Sequence, residues 1–591
     1  MNRKKENRML RRASAVAALA AAVFVAGGCD MNISNPNAPD AARAFQDPAG
    51  LAQLLGGAFQ QWVDTRGNYN IMAMNMMANS FTASWNNAAI RLYSSEGADC
   101  PVRCGWNNDA TATETAGGPA VEDSWYGYYT VMSSGNDVMA AINSGTCFDE
   151  DCSNDNTLTT RNQAIAEMLQ GMALAGIAIQ YDQGFIVDEN TDLSQILTMS
   201  FSTRAEMRDA ALTKFEAAYA DAGKATWNTD ATWMGVGAGT TYSNKQIQQV
   251  IRTMEAELIA MWPRNGTENA AADWASVASY ASQGISSGAP FNFQYYIDTG
   301  NRECGLDCVK NWGNSMATVR VDTYTAHILS TNHVDPWPDP DGNPCPLVAG
   351  FWGVTDKRVG DGTWGPSDDY NGLGTTAATA NAGTDYACLT SAIFPPARGQ
   401  YHQSNMQFVR YHYLAYRGED LPGDDATGQD PMYTTQMNDL LWAEGLIRSG
   451  GSMATAAQKI NNSRVNRGGL PALTGSETTA QMLTALEYEQ DIEFMGQGSD
   501  PFWIRRRTDG GTINGGKWFA GTPRQMPVPA KELQILLKEI YTFGGPDHPD
   551  MSVQGNLAGS AGSSSSSGVQ SVRQILSQLR ARARAEARKR F

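Results

Sequence analysis

The thiol of Cys29 is the first group in this 591-residue sequence that could do chemistry. It follows a basic head of Arg3, Lys4, Lys5, Arg8, Arg11 and Arg12, then an apolar run from Ala13 to Ala26 broken only by Ser14, then Gly27 and Gly28. Such a run is too short for a comfortable permanent span, and with its basic head it makes residues 1–28 an export signal. Small residues before the cysteine fit a lipobox, in which the thiol takes a diacylglycerol and becomes the mature N-terminus. Each buried CH2 of the acyl chains would add about 0.8 kcal/mol of membrane attachment. Residues 29–48, including "NISNPNAPD", form a polar, turn-rich tether behind that anchor.

Eight further cysteines fall by proximity into four pairs, Cys100 with Cys104, Cys147 with Cys152, Cys304 with Cys308, and Cys345 with Cys388. An even count behind an export signal favours disulfides over metal thiolates. The five histidines (His327, His333, His402, His412 and His548) are not close enough in sequence to complete a zinc site with these pairs. Asp339, Asp341 and Asn343 of "DPDGNP" are calcium candidates, but no bidentate acid closes that loop. The sequence asks for no other cofactor.

Acid–base chemistry could come from Glu444, Glu489 and Glu493, which with Arg464 and Arg467 sit on or beside amphipathic helical segments. A glycosidase would need two such carboxylates across a cleft, one with a raised pKa. Acids on helices close to guanidinium groups read instead as forked ion pairs joining helices to the following turns. Two catalytic spellings stand in the wrong context. "GISSG" at 284–288 follows the helical "WASVASYASQ", whereas a nucleophile elbow follows a strand. "GTINGGKW" puts Trp518 where a P-loop needs a hydroxyl for magnesium.

Ligand recognition is a better use of the polar and aromatic residues. Sugar rings present an apolar C–H face and hydroxyl edges, so flat aromatics interleaved with amides suit them. Trp85, Asn87 and Trp106 lie after an early helical segment, and Trp312, Trp337, Trp352, Trp364 and Tyr370 lie in the middle of the chain, all between helical stretches. Trp62, Trp262 and Trp442 stand at periodic positions on helical segments and are expected in the core.

The elements that must carry these residues are mostly helices. From 49 to 289, stretches such as "TRNQAIAEMLQGMALAGIAIQYDQG" and "SNKQIQQVIRTMEAELIAMW" place apolar residues three and four apart, with alanine at contact positions. Paired helices in which an aromatic meets a small residue on the next helix have the grammar of tetratricopeptide-like repeats, although no clean period survives. Between 290 and 400, glycine, proline, aspartate and tryptophan replace that periodicity, predicting a loop-rich insertion with short strands at most. Helical patterning returns over 401–550, followed by a Gly/Ser linker at 551–568 and a basic amphipathic tail at 569–591.

The chain carries a formal charge of −17. The signal holds +5, so the mature chain carries −22, and the tail holds +6, which leaves −28 on the body. A body this acidic excludes general electrostatic binding of nucleic acid.

Several motifs, in order, resemble the SusD/RagB family of outer-membrane lipoproteins. "NDLLWAEGLIRSG" is similar to that family's L-x-x-A-E-A helix, with Ala443 and Glu444 at its centre. "INNSRVNRGGLPALT" resembles its N-x-x-R-x-R-A-G-L-P turn through Asn461, Arg464, Arg467, Gly469, Leu470 and Pro471. "EYEQDIEFMGQGSDPFWIRR" follows a third motif at Glu489, Glu493, Phe494, Gly498, Phe502, Arg505 and Arg506, and departs from it at Ser499 to Pro501. "MPVPAKEL" and "NISNPNAPD" resemble the closing and opening segments. The resemblance implies an all-α, tetratricopeptide-like scaffold and a non-enzymatic, lipid-anchored protein of the outer membrane, exposed at the cell surface. It would capture oligosaccharides for a SusC-like TonB-dependent transporter, with the early and central aromatic segments forming the ligand face. Peptide capture within the same family, or a non-binding envelope scaffold, are the alternatives.

Replacing Cys29 with Ser is expected to abolish palmitate labelling and release the protein to the soluble fraction. A processed Cys29→Ser protein that stays on the membrane would overturn the lipobox assignment.

Overall fold

The computed structural model describes residues 47–83, 89–94, 100, 103–112, 119–235, 239–298, 306–315, 319–329, 356–359, 385–388, 404, 406–414, 427–507, 521–545 and 552–554. The chain divides into two units, Met1–Asp47 and Pro48–Phe591, and every element below belongs to the second.

Twelve helices carry the description: α1 Pro48–Arg66, α2 Tyr69–Met77, α3 Pro119–Asn143, α4 Thr157–Gln180, α5 Arg204–Ala222, α6 Asn244–Met261, α7 Trp274–Ala281, α8 Cys308–Gly313, α9 Thr435–Ser449, α10 Met453–Arg464, α11 Thr479–Glu493 and α12 Asp500–Arg505. Their starts are written locally. Thr203 with Glu206, Ser243 with Gln246, and Thr478 with Gln481 form reciprocal capping boxes at α5, α6 and α11. Gly450, at φ +75°, ends α9 in the left-handed conformation that glycine adopts without strain.

The helices pack as a continuous array. α1 lies on α3, α3 on α4, α4 on α5, α5 on α6, and α6 on α7; α7 then meets α9, which packs on α10 and α11. This is the all-α, tetratricopeptide-like scaffold that the alanine-rich periodicity implies. α4 is buried on nearly all sides, in keeping with a sequence apolar around most of its circumference. It touches both neighbours through glycine: a Cβ on Gly176 would land in the Tyr128 ring of α3, and one on Gly171 would lie 2.7 Å from the Phe215 ring of α5. The pairing of an aromatic with a small residue one helix away is thus physical, and it sets how closely these axes approach.

Strands are accessory. Ten short strands form five two-stranded ribbons among the described residues. The longest ribbon pairs β4, Phe293–Asp298, antiparallel with β8, Thr427–Tyr433, so the start of the central insertion is stitched to a segment beyond its end. Within that insertion the expectation of short strands at most needs correction. α8 and a second helix, Thr323–Leu329, lie inside it, and every residue of α8 is buried. The reason is ionic as well as apolar: Lys310 of α8 is enclosed and reaches Asp307 at 2.9 Å and Asp430 of β8 at 2.6 Å. A similar bond joins α1, α6 and β8, where Arg66 meets Glu257 at 2.7 Å, Tyr433 donates to the same carboxylate at 2.5 Å, and the guanidinium lies 4.7 Å from the Tyr433 ring centre.

Gly176→Val is expected to lower the unfolding free energy by about 1–3 kcal/mol through overpacking. Gly57→Ala, on α1 with open space around its would-be Cβ, should be neutral or stabilising by up to about 1 kcal/mol. Chemical denaturation of the two variants compares them directly.

Candidate functional site

The motif residues of the C-terminal half converge on two buried ionic clusters. The first surrounds Arg358. Its Nε and Nη2 grip the Asp356 carboxylate, the latter at 2.7 Å, while Nη1 reaches Glu489 at 2.7 Å, Glu493 at 3.2 Å and the Ser463 hydroxyl at 2.8 Å. Arg410 adds a bond to Glu493 at 2.8 Å, Arg467 bonds Asp385 at 2.6 Å and also Glu493, and Arg464 lies 3.5 Å from Glu489. Four carboxylates thus face four guanidiniums, drawn from the insertion, the 406–414 stretch, α10 with the turn after it, and α11. Burial raises the Glu489 carboxyl. It pushes Glu493 the same way, but Arg410, Arg467 and Arg358 prevail and hold that group below the usual carboxylate range.

The second cluster centres on Glu444 of α9, which takes Arg506 at 2.8 and 2.5 Å, Arg448 at 2.6 Å and the Gln490 amide at 3.0 Å. Burial alone would raise this carboxyl, yet Arg506 and Arg448 hold it down at about 2. The Arg506 guanidinium also lies 3.8 Å from the Trp503 ring centre and donates to Asn269 at 2.6 Å. The glycine-rich turn after α10 is built by the same residues: Asn461 exchanges two bonds with the Leu473 backbone, Arg464 Nε caps the Pro471 carbonyl at 2.8 Å, and Gly469 takes φ +65°. At Ser499 to Pro501, Pro501 lies in the first turn of α12 and Asp500 is enclosed, its carboxyl pushed up to about 7 by burial. These acids and bases hold helices together.

The structure joins Cys100 to Cys104 and Cys147 to Cys152, with Cα separations of 5.5 and 5.9 Å. Cys308 is disulfide-bonded as well. Cys29, Cys304, Cys345 and the Cys388 side chain lie outside the described residues. Among the described residues Cys147, Asp149 and Cys152 come within metal-binding distance of one another. Both sulfurs are consumed by the disulfide, however, and Asp149 accepts from the backbone N–H groups of Leu158 and Thr159 at the start of α4.

Of the ligand candidates, Trp106 and Trp312 are corrected to packing residues. Trp106 is 3 % exposed, lies 5.1 Å from the Tyr93 ring, and donates its indole N–H to the Gln525 carbonyl at 2.9 Å. Trp312 is 2 % exposed on α8 and packs 5.5 Å from Tyr69. An apparent loop tryptophan loses its ligand face once its surroundings fold over it. Trp85, Asn87, Trp337, Trp352, Trp364 and Tyr370, with the calcium candidates Asp339, Asp341 and Asn343, lie outside the described residues. Trp62 is core as expected, whereas Trp262 and Trp442 are half-buried. Arg204 and Arg208 lie 3.6 and 4.5 Å from the Trp262 ring centre, and Lys459 lies 4.1 Å from that of Trp442.

Ser286 of the "GISSG" stretch is buried and accepts from the Asn438 amide at 2.7 Å. It is an anchor between α9 and the turn after α7. Sequence reading missed a groove of about 320 Å3 along α10, lined by Gln458, Asn461, Asn462, Asn466 and Thr474. Gln458 and Asn466 are exposed there. Asn461 and Asn462 are bonded to the Leu473 backbone and to Asp439, so Gln458 and Asn466 are the amides presented to solvent, where they can donate to and accept from hydroxyls; the signal for them was the amide-rich spacing of "QKINNSRVN".

No protein-family model matches the chain, and no curated protein matches it. Among solved structures it is similar to a SusD superfamily protein from Parabacteroides distasonis, at 12 % identity over 82 % of this chain and 96 % of that one, with a TM-score of 0.52. It is also similar to a SusD superfamily protein from Bacteroides vulgatus, at 11 % identity over 83 % and 97 % of the two chains, with a TM-score of 0.50. The class of protein is therefore a helical-repeat scaffold with inserted loops. The particular version of it is the SusD-like fold.

Replacing Arg358 with Met should cost about 3–5 kcal/mol, because it leaves buried carboxylates without their common partner. A loss under about 1 kcal/mol in denaturant titration would show that the cluster is solvated and not a structural bond.

Proposed function

We propose that the chain is a surface-anchored, SusD/RagB-family nutrient-binding lipoprotein. In this reading a lipid on Cys29 holds it to the outer membrane, and it captures oligosaccharides and passes them to a SusC-like TonB-dependent transporter. The observation that carries the reading is the SusD-like fold, which extends over most of the chain at TM-scores of 0.50 and 0.52. Of the resembling motifs, Glu444, Glu489, Glu493, Phe494, Phe502, Arg505 and Arg506 are buried in that fold. Among the described residues no helix is long and apolar enough to cross a membrane, which leaves the lipid on Cys29 as the proposed attachment.

Binding without turnover agrees with the chemistry of the motif acids. Glu444, Glu489 and Glu493 are enclosed and each is shared among guanidiniums, so none is free to protonate a leaving group or activate water. A neutral, hydroxyl-rich ligand is favoured by the body's charge of −28, which repels polyanions, and by the amides of the α10 groove. The aromatic half of the recognition surface is assigned to Trp85, Trp337, Trp352, Trp364 and Tyr370, with Asn87 beside them.

Isothermal titration of the mature protein with panels of oligosaccharides and peptides tests the reading. Micromolar binding of a glycan is expected, with affinity lost and the unfolding midpoint unchanged in a Trp337→Ala, Trp352→Ala, Trp364→Ala triple variant. Binding of peptides alone would move the assignment to peptide capture, binding of neither would make the chain a scaffold, and release of reducing ends would make it a hydrolase.

A further inference from the structure

Five large hydrophobic residues are exposed among those described, and three of them stand on two segments that touch each other: Ile186 at 36 %, Leu197 at 41 % and Leu537 at 93 %. Ile186 and Leu197 belong to the connection between α4 and α5. There β2, Gln183–Gly184, pairs with β3, Ser202–Thr203, and the 3-10 turn Leu193–Thr198 between them has no buried residue although it carries Leu193, Ile196 and Leu197. Leu537 lies in the turn before β9, Tyr541–Phe543. That turn rests against the β2–β3 ribbon: Tyr541 bonds Asp182 at 2.8 and 2.9 Å, and Lys538 Nζ lies 5.2 Å from the ring centre of Phe201.

Leu537 is also in an unfavourable backbone state. It ends the helix Ala530–Ile535 at φ +55°, the left-handed position that glycine usually fills, and Lys538 N–H closes that end on the Leu533 carbonyl at 2.8 Å. The left-handed turn caps the helix, but glycine would do so without strain, and the leucine side chain placed there projects into solvent.

The chain itself supplies an occupant of matching chemistry. β10, Ser552–Gln554, pairs with β9 so that Gln554 stands opposite Tyr541, and the C-terminal segment therefore leaves the body beside the Leu537 turn. From Gly555 to Gly568 the sequence is a Gly/Ser-rich linker, with an r.m.s. reach of about 20 Å for a flexible chain of its length. Beyond it, Val572, Ile575, Leu576 and Leu579 fall three and four apart, followed by Arg580, Arg582, Arg584, Arg588, Lys589 and Arg590. The connection 181–203 contains Asp182, Asp188, Glu189 and Asp192 and no Lys or Arg; Lys214 of α5 lies 3.9 and 3.6 Å from Asp188 and Glu189, and Asp192 and Glu539, two residues past Leu537, are the exposed acids. Apolar stripe meets apolar patch, and a +6 segment meets an acidic rim.

We propose that residues 569–591 dock on their own body as a helix, laying Val572, Ile575, Leu576 and Leu579 over Ile186, Leu197 and Leu537, with the following arginines over the acidic connection. A helix this short is marginal alone in water, so it forms on docking. The short tether makes the docking intramolecular, at an effective concentration of about a millimolar.

Hydrogen exchange on the full chain in detergent, compared with a chain ending at Gly568, tests the proposal. Amides of 193–201 and 536–541 should exchange about tenfold more slowly in the full chain, the protection that a millimolar effective concentration gives over a dissociation constant of about 0.1 mM. The protection should be independent of protein concentration and should vanish in a full-length Leu197→Ser, Leu537→Ser variant, whose altered residues are exposed and leave the body folded. Equal exchange with and without the tail would overturn the proposal. So would protection that rises with protein concentration, which indicates a second copy, or protection that appears only with phosphatidylglycerol vesicles, which indicates a membrane.

Discussion

Asp356, Asp385, Glu489 and Glu493 lie side by side in the interior of the C-terminal half, and the guanidinium of Arg358 makes that possible. Unpaired buried carboxylates would take up protons or force the surrounding segments apart. With Arg358 gripping three of them and Arg410, Arg464 and Arg467 closing the rest, four guanidiniums face four carboxylates and the cluster is neutral in formal charge. It becomes a bond between segments far apart in the chain: the 356–359 and 385–388 stretches of the insertion, the turn after α10, and the end of α11. Replacing such a cluster with apolar groups of matching volume is often neutral in stability, so its value lies in specificity.

The N-terminal half is held by a different device. Its helices approach through Gly171 and Gly176 against Phe215 and Tyr128, contacts that are apolar and local to consecutive helices. The two regimes meet at α9, which packs on α7 through the backbone beside Gly445 and carries Glu444 into the second ionic cluster. β4–β8 and the Arg66–Glu257–Tyr433 contact add cross-links at the same junction. A scaffold locked in this way can carry long inserted segments, because their ends are fixed by strand pairing and ion pairs and closing a longer loop adds little entropic cost.

Features governed by near neighbours were legible in the sequence. Helix starts at Thr203, Ser243 and Thr478 follow from a hydroxyl and a Glu or Gln three residues apart, and the disulfides Cys100–Cys104 and Cys147–Cys152 follow from loops too short to offer other partners. Glu444, Glu489 and Glu493 were legible as ion-pair residues, because acids on amphipathic helices near guanidiniums have few other stable fates. Their central partner was not. Arg358 lies 131 residues from Glu489 in a stretch without periodicity, and nothing in "VTDKRVG" distinguishes it from a solvated arginine.

The sequence by itself determined the helical class, the acidic body with its basic tail, and the local caps and short disulfides, because each depends on composition or on residues within about one turn of one another. Tertiary structure alone decided which polar and aromatic residues face water. Trp106 bonds a carbonyl 419 positions away and so belongs to the core. Leu537 is left in solvent although its type favours burial. Burial is a property of the whole packed surface, and that surface exists only after segments remote in sequence have met.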